Sequence, residues 1–499
     1  MMKISLFFLF SFFASLTIFS QTQGIAYPSV GKGVATTFLT DYHCLGINTS
    51  ALGWGTGYEN KKITLGSSEF GFGMYSDALN STKLKSLSGA IKNKITGNSQ
   101  TPFDIANQKL ASAEYAQSGV SVFLDYNWAG FSYQGEKFGG IAFNIRENYS
   151  YYSKFNQQVT DLIFRGTASN FFDSLTVVIG ADTSVIANRP DISADSLSNV
   201  IKGTMAIPLN LSQLTLGSEV KMVWNRSYNF GYGRKIFGKE GKFELFGGIG
   251  GRYIQSMAMF NMESKGNGLV MYSAVTPSFN IDYGAVANSN PSSFSAGKSL
   301  LPKAVGSGYG IDLSASIIFF KKLKVAMAVN NIGQVTYDRN VYSVKDTLFT
   351  NLSLNGLVDY DITQSINQLL STGGILTLQG QEKYILKNAS DFRIGASFQP
   401  FKFLHIGFDM VAPFNTKNPG SLQNAVYSFG GELKPFKWLA LSCGYFGGGI
   451  YQSNIPVGVN FIFRDGAYEV GISSRDAMTF FTQNKHSISS AFGFARVRF

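Results

Sequence analysis

Charge is scarce in this chain. Of its 499 residues, 15% are Asp, Glu, Lys or Arg, against about 25% in an ordinary soluble domain. Many of the basic residues stand singly: Lys321, Lys322, Lys402 and Lys437 at turns, and Arg393, Arg464 and Arg496 between positions read as lipid-facing. The net charge of +11, or +10 without Lys3, therefore builds no basic patch of the kind that binds nucleic acid. Cysteine is almost missing. Cys44 and Cys443 lie far apart, and sequence alone cannot pair them even in an oxidising envelope. Cys443 falls on the apolar face of a strand and reads as an unpaired, lipid-facing thiol. The three histidines, His43, His405 and His486, have no metal-ligand spacing. There is no Gly-x-Ser-x-Gly nucleophile turn, and the glycine runs at 247–251 and 447–449 do not continue as a phosphate loop. No catalytic, cofactor-binding or metal-binding residue is nominated, and the chain does not read as an enzyme. Beyond the first twenty residues, no apolar run approaches the roughly 20 residues that a spanning helix needs.

Aromatic side chains and glycine are abundant: 44 Phe, 24 Tyr and 54 Gly. That composition suits strands with lipid on one face and a packed or wet lumen on the other. The mean hydropathy of +0.04 is what remains when two such faces cancel. Residues 1–20 form a secretory signal peptide: one charge at Lys3, an apolar run to Phe19, and small Ser20 before Gln21. The expected division is signal peptide 1–20, plug segment 21–60 and barrel 61–499.

Period-two alternation is the clearest structural signal. Tyr309, Ile311, Leu313, Ala315, Ile317 and Phe319 alternate with Gly310, Asp312, Ser314 and Ser316. After Phe320-Lys321-Lys322, Leu323, Val325, Met327 and Val329 resume the rhythm, which is a hairpin. The arrangement returns around Pro400-Phe401-Lys402 and Pro435-Phe436-Lys437, with Phe-Lys-x-Leu shared by all three turns. Each strand approaches the 9–11 residues that cross a tilted bilayer. Further strands include 63–74, 120–128, 220–232, 243–254, 269–283, 457–463, 468–472 and a last one from about His486. The reading is all-β: a closed, transmembrane antiparallel barrel of about 14 strands with helical and loop insertions outside. Three segments break the rhythm. They are 78–117 with a helical 104–111, 156–216 with a helical 157–164 followed by loop, and 336–389 with a helical 362–370. They lie opposite the tight turns, as extracellular loops do.

Two resemblances sharpen this. Residues 491–499 lack acid and proline and end on Phe499; Ala491, Gly493, Ala495 and Val497 alternate with residues that include Arg496 and Arg498. The stretch resembles the C-terminal assembly signal of bacterial outer-membrane barrels, with Phe499 and Val497 as its key positions. Gly31-Lys32-Gly33-Val34-Ala35-Thr36, then Asp41, then residues 45–53 ending Ala51-Leu52-Gly53, resemble the start of FadL/PorV-type barrels, with Thr49 where that family has Pro. Residues 308–313 with 330–333, and 392–396, are similar to recurring strand pairs of the same barrels. The resemblance implies an outer-membrane protein of Bacteroidetes type and a plug over residues 24–54, with Gly31, Gly33, Asp41, Asn48 and Leu52 as gating candidates. It further implies a channel for hydrophobic or poorly soluble small molecules, or a PorV-like partner in an export or gliding machine. The expected partners are the lipid bilayer, the outer-membrane assembly machinery, and a hydrophobic ligand or a secretion or gliding protein.

A charge facing lipid costs about 2–4 kcal/mol near the midplane. The ionisable residues on polar strand faces are therefore assigned to the lumen: Asp125, Arg146, Arg252, Asp312, Arg393, His405, Asp409 and Glu432. They are expected chiefly to form ion pairs that hold the wall rigid.

Overall fold

The computed structural model describes residues 27–76, 78, 105–266, 268–295, 301–352, 376–448, 451–481 and 487–499. The proposed signal peptide and the helix expected at 362–370 lie outside them. Fourteen strands make the wall: β1 (Ile63–Ser76), β2 (Gly119–Gly135), β3 (Gly139–Lys154), β4 (Glu219–Lys239), β5 (Phe243–Lys265), β6 (Gly306–Phe319) and β7 (Leu323–Tyr337), followed by β8 (Asp391–Phe401), β9 (Leu404–Pro413), β10 (Val426–Phe436), β11 (Leu439–Gly448), β12 (Val457–Phe463), β13 (Tyr468–Ser474) and β14 (Ser487–Arg498). Each pairs antiparallel with the next. β14 returns to β1 from Thr64↔Arg498 to Tyr75↔Ser487, so the cylinder is closed. Closure is what hydrocarbon demands, because an open edge would leave backbone groups unpaired where no water can reach.

The side chains are inverted relative to a soluble protein. Phe230, Leu313 and Phe429 are more than half exposed, whereas Asp312, Arg393 and Glu469 are buried. Among the described residues no helix is long and apolar enough to cross a membrane; the strands do the crossing. The tight turns at 136–138, 240–242, 320–322, 402–403, 437–438 and 464–467 share one rim, and the long excursions share the other. Aromatic rings gird the turn rim: Phe237 with Phe243 (5.7 Å between centroids), Phe243 with Phe319 (5.5 Å), Phe401 with Phe403 (5.3 Å) and Phe436 with Trp438 (5.4 Å). Amphipathic rings favour that level of a bilayer. Both cysteines are free; Cys44 is buried and Cys443 faces outward, as its strand position predicts.

Three expectations need correction. Ala491, Gly493, Ala495 and Val497 do not share a face. Ala491 is buried and Gly493 lies against Tyr27, but Phe494 is exposed and Arg496 and Arg498 are buried. The parity flips at an irregularity where β14 meets β13, opposite Ser68 of β1, which adopts φ 56°. Such a bulge re-aims side chains, and here it turns both arginines inward. Second, the strand expected at 269–283 is Gly268–Val275 and ends just before Pro277, whose ring nitrogen has no proton for a ladder. Third, residues beyond the helix Gln157–Arg165 are not loop. Strands Ser174–Ile179, Asp182–Ala187 and Val200–Asn210 join Leu348–Leu352 in a separate four-stranded sheet. Leu162, Phe172, Leu175, Val177, Val200, Met205 and Phe349 give it a core of its own on the loop side.

Candidate functional site

Residues 27–56 run inside the wall at the turn end, and they touch all fourteen strands. Tyr42 Oη donates to Glu69 Oε1 on β1 (2.5 Å), Gln134 of β2 donates to the Leu52 carbonyl (3.0 Å), and Asn144 of β3 donates to the Tyr42 carbonyl (3.1 Å). Thr49 and Ser50 lie against Gly233 of β4 and Gly248 of β5. Ser50 Oγ donates to Ser316 on β6 (2.7 Å), and Asn330 of β7 donates to the Ile47 carbonyl (3.3 Å). Thr36 meets Gly395 of β8, and its amide donates to Asp409 of β9 (2.9 Å). Lys32 pairs with Glu432 of β10 (2.7 Å), Gly31 abuts Gly458 of β12, Ser473 of β13 donates to the Tyr27 carbonyl (3.1 Å), and Arg496 of β14 reaches Asp41 through Nε (2.9 Å). The Lys32 carbonyl is wedged between Gly430 of β10 and Gly444 of β11, where any Cβ would collide with it. Glycine there is a requirement of close approach, not of flexibility.

The five plug candidates all lie in this segment. Asn48 is fully buried, donating to the Thr36 carbonyl (2.8 Å) and accepting from Ser50 Oγ (2.6 Å). Leu52 is fully buried; Gly33 takes φ 73° beside Pro456. The eight lumen candidates all point inward, but they do not converge on one centre. Asp125 pairs with Arg146, Arg252 with Asp312 (2.6 Å), and Arg393 with Asp391 (2.8 Å). The other three hold the plug. His405 stacks on Phe38 (4.0 Å between centroids), Asp409 accepts from the Ala35 amide (2.6 Å) and Thr36 Oγ1 (3.0 Å), and Glu432 takes Lys32 and Lys434.

A denser cluster was not nominated from the sequence. His43 bridges two carboxylates, with Nδ1 2.7 Å from Asp41 Oδ1 and Nε2 2.9 Å from Glu69 Oε1. Asn127 donates to Glu69 Oε2 (2.8 Å). Arg496 joins Asp41 to Glu469 (3.1 Å), and Arg498 donates to Glu469 as well (2.7 Å). With His43 protonated, three carboxylates meet three cations, so the buried set is neutral. Burial alone would lower the His43 pKa; Glu69 and Asp41 outweigh it and raise it above the ordinary 6.5. For Asp41 burial acts upward, but Arg496 and His43 hold its carboxyl well below the usual range. Asp125 and Arg146 share a cavity of about 20 Å³ with this group. The cluster straddles the seam, since Glu69 belongs to β1 and Arg496 to β14, and the plug supplies what lies between. No sequence spacing could reveal it: Asp41 and Arg496 are 455 positions apart.

Above the plug the lumen turns apolar. Tyr75, Val426 and Phe446 pack together from β1, β10 and β11, and Arg475 lies over the rings of Phe123 (5.6 Å) and Phe446 (5.9 Å). The 414–425 connection then crosses the mouth. Lys221 of β4 donates to the Thr416 carbonyl (3.3 Å), Gly420 sits against Val223 and Ser150 of the opposite wall, and Leu422 is buried.

A closed wall, an inverted amphipathic pattern and an internal plug define a transmembrane β-barrel whose lumen is occupied at its turn end. The chain belongs to a family of unknown function, DUF5723, whose model matches residues 173–465. No curated protein matches it. Similar solved structures include the Pseudomonas putida toluene transporter TodX, at 10% identity over 97% of this chain and 99% of that one, with a TM-score of 0.39. The CymD monoaromatic hydrocarbon channel has 10% identity over 94% and 95%, TM-score 0.39. A Rhodopseudomonas blastica porin triple mutant has 8% identity over 56% and 92%, TM-score 0.19.

Proposed function

We propose that this barrel is an outer-membrane channel for hydrophobic or poorly soluble small molecules, gated by residues 27–56. The observation that carries the reading is the apolar lining directly above the plug. Tyr75, Phe123, Val426 and Phe446 are buried and face inward there, and Val223, Ile254, Met259, Val335 and Tyr337 of β4, β5 and β7 form a second buried apolar group. Small-molecule sites combine such an apolar wall with a few placed polar groups; Arg475 over two of the rings supplies one. The plug below it keeps a small apolar core of its own (Leu39, Tyr42, Leu45, Ile47, Ala51 and Leu52), and discrete hydrogen bonds and ion pairs tie it to the wall. The alternative role, as a partner in an export or gliding machine, draws no support from the similar structures.

The test is uptake into liposomes carrying the purified barrel. An apolar fluorescent arylamine should enter faster than a hydrophilic sugar of similar mass. Phe123→Asp and Phe446→Asp should slow the arylamine at least several-fold and leave the sugar unchanged. Equal rates for both solutes, or no response to either substitution, would refute the reading.

A further inference from the structure

The lipid-facing side of the wall carries a groove of about 570 Å³ across β4 to β8. That volume lies within the roughly 300–1,000 Å³ range of small-ligand sites. Its floor is Gly247 and Ala315, direct partners in the β5–β6 ladder, where the large outward side chains give way to a hydrogen and a methyl. Ile249, Leu313 and Met327, each about half exposed, form its banks. Arg234, the ladder partner of Gly247, lines the same groove and is exposed.

Arg234 is the unusual member. Among the described residues it makes no ion pair, and its one side-chain hydrogen bond runs from Nε to the Lys235 carbonyl at 3.4 Å. The neighbouring Lys235 is already matched by Glu244 (3.1 Å). Arg234 stands three residues before Phe237 of the aromatic girdle, or roughly 8 Å inside it for a tilted strand. A guanidinium at that depth can extend to the headgroup level along its own stem, where it meets phosphate in the planar, forked geometry it binds best.

We infer that this groove is a phospholipid site. One acyl chain lies over Gly247 and Ala315, and the lipid phosphate pairs with Arg234. An alkyl chain fills the apolar length, the phosphate supplies the counter-charge that the protein does not, and both ends are set by one row of the sheet. The occupant belongs to the leaflet at the turn rim. The inference depends on the wall standing in a bilayer and not on what passes through the lumen, so the uptake experiment and this one fail independently.

The test is native mass spectrometry of the delipidated barrel titrated with dioleoyl phosphatidylglycerol or with dioleoylglycerol, which has the same chains and no phosphate. One phosphatidylglycerol per barrel should be retained, about tenfold more tightly than dioleoylglycerol. Arg234→Gln should bring the two lipids level, Arg234→Lys should keep part of the preference, and Gly247→Leu should weaken both lipids with the guanidinium in place. Equal retention of the two lipids by the unaltered barrel would overturn the proposal. So would phosphatidylglycerol binding to a folded Arg234→Gln barrel as tightly as to the parent. The comparison on the unaltered barrel decides even if a variant does not assemble.

Discussion

At the scale of single residues, Asp41 and Arg496 bear most directly on whether the plug stays in place. Both side chains are buried, at 2% and 7% exposure. Removing one partner strands the other charge away from water, which costs about 3–5 kcal/mol. Arg496→Gln should therefore lower the temperature at which the barrel loses its resistance to SDS, and adding Asp41→Asn should recover part of the loss; simple additivity of the two changes would deny the coupling. His43 gives a pH dependence of definite sign. Its folded pKa lies above 6.5, so its contribution to stability is complete below that pH and fades as pH rises through the raised value. Plug retention, read as protection of the segment from hydrogen exchange, should fall on the alkaline side, and His43→Gln should flatten the profile. A profile unchanged by that substitution would mean that His43 does not titrate in the latch. Little of this was visible in the sequence. Asp41 stood out through a resemblance and His43 only as one of three histidines, because their partners Glu69, Glu469 and Arg496 are brought to them by a closed sheet and not by local spacing.

At the scale of elements, the hairpins were the most legible parts. The alternations that define β6, β8, β9, β10 and β11, and β7 as far as Asn330, are clear, and each hairpin is joined by a short turn; beyond Asn331, at φ 60°, β7 changes face opposite an irregularity in β6. Where alternation misled, a bulge was responsible. In β14 and β1 an irregularity changes which side chains face inward, and a period-two count carried through it assigns half the strand to the wrong face. Three of the four strands of the outer sheet are short, six residues for both Ser174–Ile179 and Asp182–Ala187 and five for Leu348–Leu352, which comes from a distant segment, and this is why the sheet was missed. The plug as an element makes its own prediction. Deleting residues 24–54 should raise conductance in planar bilayers, and Gly430→Leu, which denies the Lys32 carbonyl its place, should do so without shortening the chain. Unchanged conductance in both would remove the plug from any gating role.

For the whole molecule, the asymmetry of the two rims is testable. Short turns and aromatic rings mark one rim, and the helix Gln157–Arg165 with the four-stranded sheet marks the other. In a Cys443→Ser background, Val185→Cys on the outer sheet should react with a membrane-impermeant maleimide on intact cells. Lys321→Cys at a turn should react only after the outer membrane is opened. Labelling of Lys321→Cys on intact cells would invert the orientation. The cylinder itself was legible in outline because its physics is simple: few charges, a two-residue rhythm and tight turns at regular intervals leave little besides a closed sheet in lipid. What the lumen holds was not, since the lining residues acquire meaning only from neighbours hundreds of positions away.

The cluster at the seam bears on how such a cylinder is born. First and last strands must find one another after everything between them has been laid down, and the ring that joins them is fastened from within by Asp41 and His43. The early part of the chain thus waits as a rivet for the late part, and a nascent protein lacking it would reach the membrane able to curl but slow to lock.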